Sequence, residues 1–490
     1  MANVFAIHTY IGTGATLSLT GIGFQPDMVW IINRGSGDTY VFDSVRGATK
    51  YWVMRTNALD VTDANSLTSF DADGFTLGTA SIVNASGSTF AAYCFKKTSG
   101  FVDIIQYTGT GSAHTEAHNL GAIPESIWVK KLSVATANCR TYHKSLNGGT
   151  TPEQYYIELA SSAAEAALTG NWNDTAPTSS VFTVGTNSSV NANTASYIAY
   201  LFGSSSSSGG VIQQGHFTTS SGAATISLDF DPQVAIFKSR TAASSWACLD
   251  VFRGWESGTD KLKNLNSSGS ETTSVDQGDP GTAQFTVANQ LTADSYIYMA
   301  FKTHISVTAW TYSGTKTDAA DNGNAWSNTA NIDASDNTYA TCSVNAIGTK
   351  ISNTLNITNC SFSIPSGATI YGVEASIEGK ASTATRLKDN MIQLIKGGAT
   401  TGTNIADSAT FWTTSDVRRI YGGTNLWGAT LSNSDVNASN FGLAMAFINS
   451  GATATMSLDD VKIRVFYIAA SASASGFNPY FSRHIGGIGM

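Results

Sequence analysis

The sequence predicts an all-β chain: tandem β-sandwich domains of jelly-roll type, three of them related repeats, then a distinct C-terminal β-sandwich and a short tail peptide. Three observations predict this. Charged residues make up only 13% of the 490, against about 25% in an ordinary soluble domain, and Ser, Thr, Asn and Gly fill the gap. Long amphipathic helices are built from Glu, Lys, Leu and Arg, so this composition favours strands joined by polar turns. Second, a proline, a polar residue and a short apolar run recur three times: Pro26-Asp27-Met28-Val29-Trp30-Ile31, Pro124-Glu125-Ser126-Ile127-Trp128-Val129 and Pro232-Gln233-Val234-Ala235-Ile236-Phe237. The copies start 98 and 108 residues apart (124 − 26 and 232 − 124), a domain length and not a solenoid period. Third, short alternating apolar runs bounded by Gly and Asn fill the rest, as half-buried strands do.

The predicted units are 1–101, 102–207 and 208–302 for the repeats, 303–468 for the last sandwich, and 469–490 for a linker and tail. The first unit runs from Phe5-Ala6-Ile7-His8 through the proline motif and Asp43-Ser44-Val45-Arg46-Gly47 to Ala91-Ala92-Tyr93-Cys94-Phe95. Proline at a strand start costs no ladder hydrogen bond, which is where sheets admit it. From the proline to the closing phenylalanine is 69 residues in the first and third units (95 − 26, 301 − 232) and 78 in the second (202 − 124). The second copy therefore carries an insertion, which the helix-like Ala160–Leu168 stretch suggests lies there. Ser204–Gly210 offers no side chain able to pack and reads as a flexible linker. In the fourth unit, Leu458-Asp459-Asp460-Val461-Lys462-Ile463-Arg464-Val465 alternates as a strand with one wet face should.

Composition also excludes function classes. A net charge of −8 and pI near 5.3 oppose phosphate-backbone binding, so no nucleic-acid partner is expected. No apolar run approaches the ~18 residues that cross a bilayer, and Met1–Phe5 lacks a signal peptide's basic and apolar regions. The expectation is synthesis in a cytoplasm without the usual export and no membrane insertion. The five cysteines (94, 139, 248, 342, 360) form no CxxC pair and several sit in apolar runs, which suits buried thiols. A Cys342–Cys360 bridge is the one pairing left open.

Catalytic constellations are scarce. His114 and His118 would share a face only on a helix, yet glycines surround them, so a loop with solvated histidines is expected. Asp459-Asp460 could offer oxygens to Ca2+, but adjacent acids at a strand start are ordinarily solvated. There is no GxSxG, phosphate loop or metal-spaced Cys/His set. The Asp43/Arg46 and Asp250/Arg253 pairs read as structural ion pairs beside a glycine turn, and the second unit has His143 without a matching arginine. Trp310, Trp412 and Trp427 could stack on sugars, with core packing the simpler role. No catalytic residue, cofactor or metal is predicted, and the chain is not expected to be an enzyme. Along the proline motif Asp27 becomes Glu125 and then Gln233, a change that a catalytic carboxylate could not survive. The tail carries Phe477, Tyr480, Phe481 and Arg483, residue types that anchor interfaces, and forms a candidate docking peptide.

The units built on Gly23–Arg34, Phe42–Gly47, Gly74–Thr79 and Thr89–Lys96 resemble the repeated domains of tailed-bacteriophage tail fibre and related virion structural proteins, marine and cyanobacterial phages especially. That resemblance spans about 5–302; the region of Leu426–Gly442 and Leu458–Tyr467 is similar to sandwich domains of phage tail proteins. It implies a tail fibre or receptor-binding component, a homotrimer assembled in the host cytoplasm and carried on the virion. Its partners would be other virion proteins, met by the tail peptide, and a host-surface glycan or protein. A capsid decoration or head fibre is the alternative. A glycan-binding or glycan-degrading module is a third reading, weakened for degradation because no carboxylate pair stands out.

Overall fold

The computed structural model describes residues 3–469 apart from 134–138, 221–222, 257, 274–275, 289–290 and 349. The chain is all-β, with 44% of residues in strands and 5% helical. In the first repeat the strands are β1 (Phe5–Ile11), β2 (Leu17–Thr20), β3 (Met28–Asn33), β4 (Thr39–Asp43), β5 (Lys50–Val53), β6 (Val61–Thr62), β7 (Leu67–Asp71), β8 (Gly74–Leu77) and β9 (Thr89–Phe95). They make a six-stranded sheet in the order β1-β9-β3-β4-β5-β6, faced by a small sheet β2-β8-β7. Gly74 closes the small sheet: its φ is +148°, and a Cβ there would stand 1.9 Å from the Leu19 carbonyl oxygen. The second and third repeats build the same large sheet around Ser126–Lys131 and Val234–Ser239.

The proline motif is the middle of each large sheet, and its unbroken apolar run has a cause. A strand wet on one face alternates; a strand buried on both does not. Val29 and Ile31 face the repeat's own sandwich core, while Met28, Trp30 and Ile32 face outward, where the other repeats cover them. In the second repeat the two faces separate cleanly, since Ile127 and Val129 belong to its own core and Trp128 to the shared one.

That shared core closes the three repeats into a ring. Phe95, Phe202 and Phe301, the last residues of equivalent strands, converge, with Phe95 at 6.4 Å from Phe202 and 5.9 Å from Phe301. Trp30 stacks on Trp128 at 5.2 Å. Around this axis each repeat grips the next in the same sense. Tyr200 of repeat two donates to Asp43 of repeat one at 2.8 Å, and Tyr93 of repeat one donates to Asp250 of repeat three. The third contact has other chemistry at the same positions. Met299 replaces the tyrosine, His143 the aspartate and Leu146 the arginine; the Ser126 hydroxyl meets the Met299 sulfur at 3.9 Å and His143 Nε2 lies 3.2 Å from the Tyr298 carbonyl. This junction thus lacks the arginine, the aspartate and the tyrosine together.

The aspartates hold their arginines as the sequence suggested. Asp43 accepts from Arg46 Nε at 2.6 Å and from its backbone N–H at 2.8 Å, and Asp250 and Arg253 pair likewise. Position 27 and its counterparts are also structural: Asp27 accepts from Lys97 N–H at 2.8 Å and Gln233 from Thr303 N–H at 2.7 Å, each tying a strand start to the segment leaving its repeat. Glu125 pairs with Lys144 instead. Acid and amide both accept, so the exchange costs little.

The last sandwich packs one sheet containing Ala340–Val344, Ala454–Ile468, Thr369–Ala381 and Val417–Gly423 on another containing Leu355–Thr358, Gly442–Asn449 and Leu387–Lys396. It sits on the ring at the junction of repeats three and one. Phe466 stacks on Phe252 at 5.4 Å, and the Arg464 guanidinium donates to the Val251 and Phe252 carbonyls at 2.9 Å each. The Thr424 hydroxyl accepts from Thr9 N–H at 2.7 Å and donates to its carbonyl at 3.1 Å, which covers the free edge of β1.

Several expectations need correction. Ala160–Leu168 forms no helix; Ala166–Ala167 is a strand paired with Tyr155–Tyr156. The main insertion is the segment of 3-10 turns between His143 and Tyr155, where the first repeat needs only the short link from Asp43 to Lys50. Ser204–Gly210 is not a loose linker: Ser205–Ser208 is a helical turn ended by Gly209 at φ +68°, and Ser207 donates to the Gly100 carbonyl at 3.1 Å. Its serines pack through hydroxyls and not through apolar surface. All five cysteines are buried free thiols, so Cys342 and Cys360 are not bridged. No helix among the described residues is long and apolar enough to cross a membrane.

Two histidines make the assembly acid-sensitive. Burial holds His8, bonded to the Tyr371 hydroxyl at 3.1 Å, down to about 4, and burial holds His143 down to about 3. Both values lie below the unfolded value near 6.5, so the unfolded chain binds more protons and stability is full above pH 6.5. It then falls as pH drops, towards 4 for His8 and towards 3 for His143, by on the order of 3 kcal/mol per histidine once titration is complete. Denaturant midpoints at pH 7.5 and pH 4.5 check this; a flat profile in both the wild type and His143→Gln would contradict it.

Candidate functional site

The fourth unit's charged strand face is not wet. Residues Asp460, Lys462 and Arg464 lie across from Glu378, Ser376 and Glu374, and Arg418 and Ile420 complete the ladder on the next strand. The intervening Val461, Ile463 and Val465 fill the sandwich core. The charged face turns towards the junction of repeats three and one and roofs a cavity of about 340 Å3. Arg34, from the turn after β3, and Arg253, Glu256 and Lys261, from the third repeat, form its floor. Half-buried Trp310 stands at its side, its ring 4.5 Å from the Arg464 guanidinium and 5.7 Å from Lys462 Nζ.

Almost every charge here is already committed. Glu271 accepts from Arg34 at 3.1 Å and from Arg253 at 3.0 Å. Burial pushes the Glu271 carboxyl up, but Arg34 and Arg253 outweigh it and hold it below its ordinary value. Glu374 pairs with Arg464 at 2.6 Å. Arg418 spans Glu378 and Asp460, and Lys462 lies 3.4 Å from Asp460. Two lining groups have no ion-pair partner among the described residues, Lys261 and Glu256. Burial first, then the neighbouring Arg34, lowers the Lys261 ammonium from its ordinary value.

Beside this cavity, an apolar groove of about 630 Å3 runs between the first repeat and the last sandwich, lined by Tyr10, Leu17, Leu19, Tyr371, Leu426 and Ile468. Its titratable lining groups are His8 and the two tyrosines, and the rest is mainly apolar contact area.

The sequence candidates fall differently. Trp310 lines the cavity, whereas Trp412 and Trp427 are buried in the last core. His114–Ala117 is a strand and not a loop, His114 meets Glu116 at 2.8 Å, and His118 is buried with Nε2 3.2 Å from the Thr178 carbonyl. The two histidines do not pair, because His118 lies past the end of the strand and is buried against the Thr178 carbonyl, while His114 meets Glu116. Asp459 and Asp460 are buried and not solvated; Asp459 accepts from Asn337 N–H at 3.2 Å. Among the described residues no group of three His, Cys, Asp or Glu could hold a metal. The tail residues Phe477, Tyr480, Phe481 and Arg483 lie outside the described residues. Sequence reasoning missed Lys261, Glu374 and Arg464; the opposed charges on two alternating strands were a signal, but only the register pairs them.

A ring of three β-sandwiches in one chain, with a fourth clamped over one junction and a polar cleft between, defines a multidomain β scaffold with an interdomain cleft. The chain belongs to the family described as domain of unknown function DUF7483, which matches residues 2–304, so a single family unit spans the whole ring. No curated protein matches the chain. Among solved structures it is similar to the N-terminal cellulose-binding domain of Cellulomonas fimi β-1,4-glucanase C, at 14% identity over 31% of this chain and 86% of that one, with a TM-score of 0.19. It is also similar to the CBM22-1 xylan-binding domain of Paenibacillus barcinonensis Xyn10C, at 15% identity over 33% and 87%, TM-score 0.17. A putative secreted protein from Eubacterium rectale matches at 12% identity over 53% and 70%, TM-score 0.15. Likeness this slight supports no inference about ligand.

Proposed function

We propose that this chain is a non-catalytic adhesion protein of a virion, of the tail fibre or receptor-binding class, that recognises a host-surface glycan in the cleft between ring and last sandwich. The observation that carries the binding part is Trp310 beside a polar cavity whose wall charges are fixed in place by one another. Fixed groups lose little freedom when a ligand arrives, which favours affinity. The same fixing disfavours catalysis. A glycosidase needs one carboxyl free to give a proton and a second carboxylate opposite it, whereas Glu271 and Glu374 are bound to arginines and Glu256 is the one lining carboxylate without an ion-pair partner among the described residues. The virion part rests on the resemblance of the repeats and on the aromatic tail, read as the segment that docks on other virion proteins. In this reading the homotrimer forms through surfaces other than those that close the ring, and light scattering near three times 51.4 kDa is its signature.

Gold-labelled antibody against the chain, applied to intact particles, is expected to mark tails. Label on heads would move the protein to the capsid-decoration alternative, and label on no particle would sink the virion reading. Incubation with polysaccharide is expected to release no new reducing ends.

A further inference from the structure

We infer that the cavity between the ring and the last sandwich takes an acidic saccharide, one bearing a carboxylate or sulfate, with that acid group held at Lys261; this rests on the adhesion reading above. The argument is a matching of donors to acceptors. Five cations around the cavity, Arg34, Arg253, Arg418, Lys462 and Arg464, face five acids, Asp250, Glu271, Glu374, Glu378 and Asp460, and every one of these ten has an opposite charge within 4 Å. What remains over is one ammonium, Lys261, and one carboxylate, Glu256, both on the lining and not in contact with each other as an ion pair. Arg34 adds unspent donor capacity, since its Nε and Nη2 are engaged by Glu271 and the Arg253 carbonyl and its Nη1 is not.

A partly buried ammonium without an ion-pair contact is costly, and an anionic group that enters beside it gains a charge-assisted hydrogen bond of about twice the neutral strength. Glu256 then selects among anions. A bare sulfate has no proton to offer its carboxylate and would be repelled by it. A sugar ring carrying an acid group also carries hydroxyl donors, and so answers Lys261 and Glu256 at once. Trp310 supplies an aromatic surface for the apolar face of the ring, and Ser376 and Thr259 line the same cavity as neutral partners for further hydroxyls. The cavity volume is at the small end of ligand pockets, about 300–1,000 Å3, which suits a short stretch of such a polymer.

The test uses the full chain with four probes: dextran, dextran sulfate, polygalacturonate and inorganic sulfate. Binding to one or both acidic polymers is expected, at least tenfold tighter than to dextran. It should weaken about tenfold or more in Lys261→Gln, as loss of roughly 1.4 kcal/mol implies, and be retained in Lys261→Arg. Trp310→Ala should weaken it similarly. Equal binding of dextran and the acidic polymers would overturn the inference while leaving glycan adhesion standing. Binding of inorganic sulfate as tight as that of the polymers, or acidic binding untouched by Lys261→Gln, would overturn it as well. Binding of none of the saccharides would overturn both readings. A thermal midpoint for Lys261→Gln within a degree or two of the wild type separates loss of the site from loss of the fold.

Discussion

Asp43→Ala is expected to destabilise the chain by about 3–5 kcal/mol, because it strips a buried guanidinium of its counter-charge. Arg46 is 8% exposed and its carboxylate partner fully buried, so water cannot replace what is lost. The substitution also leaves the Tyr200 hydroxyl without its acceptor, across the boundary between repeats one and two. Tyr200 in turn accepts from Trp52 Nε1 at 2.9 Å, so one carboxylate anchors a chain of groups drawn from both repeats. The third junction shows that the same place tolerates other chemistry if all members change together. The triple replacement Asp43→His, Arg46→Leu and Tyr200→Met copies that junction and is expected to recover at least half of the loss, since removing both charges removes the unpaired one. Denaturant titration of the first unfolding transition measures both variants. A triple variant no more stable than Asp43→Ala would show that the three junctions are not equivalent.

Trp128→Ala is expected to cost about 3–5 kcal/mol as well, by opening a cavity where the repeats meet. Trp128 belongs to the shared core and not to its own sandwich core; it stacks on Trp30 of repeat one at 18° between planes and meets Phe202 of its own repeat, which faces the same shared core, at 5.0 Å. Its loss should therefore loosen the ring before it loosens the second repeat. Val129→Ala, one residue along the strand, faces the other way into the second repeat's own core and should cost less, about 1–2 kcal/mol. The stacked indoles also predict a near-ultraviolet dichroism signal that vanishes in Trp128→Ala and persists in Val129→Ala. An alanine cost below about 1 kcal/mol, with the dichroism unchanged, would mean that the two tryptophans do not meet.

Much of this was legible in the residues. Alternation and turn chemistry identified the strands, the repeated proline motif identified three related units, and the glycine-flanked Asp-x-x-Arg pairs were rightly read as structural. The failures have a common origin. Ala160–Leu168 has helix-like composition, yet Ala166 and Ala167 are drawn into a sheet edge, since tertiary pairing overrides weak propensity. The Lys462–Arg464 strand looked wet because alternation reports two unlike faces, not which one meets water. Its charged face meets the ring.

The sequence by itself determined the elements: their strand nature, their threefold repetition, and the continuous apolar runs that call for burial on two sides. It did not determine what would do the burying. Local patterning reflects contacts within a few residues and within one sheet, whereas the ring, the clamp of the last sandwich and the cleft depend on contacts between residues a hundred or more apart. Lys261 and Glu256 are ordinary surface residues in the sequence. Only the closing of three repeats and a fourth domain around them leaves those two charges facing one cavity without an ion-pair partner among the described residues.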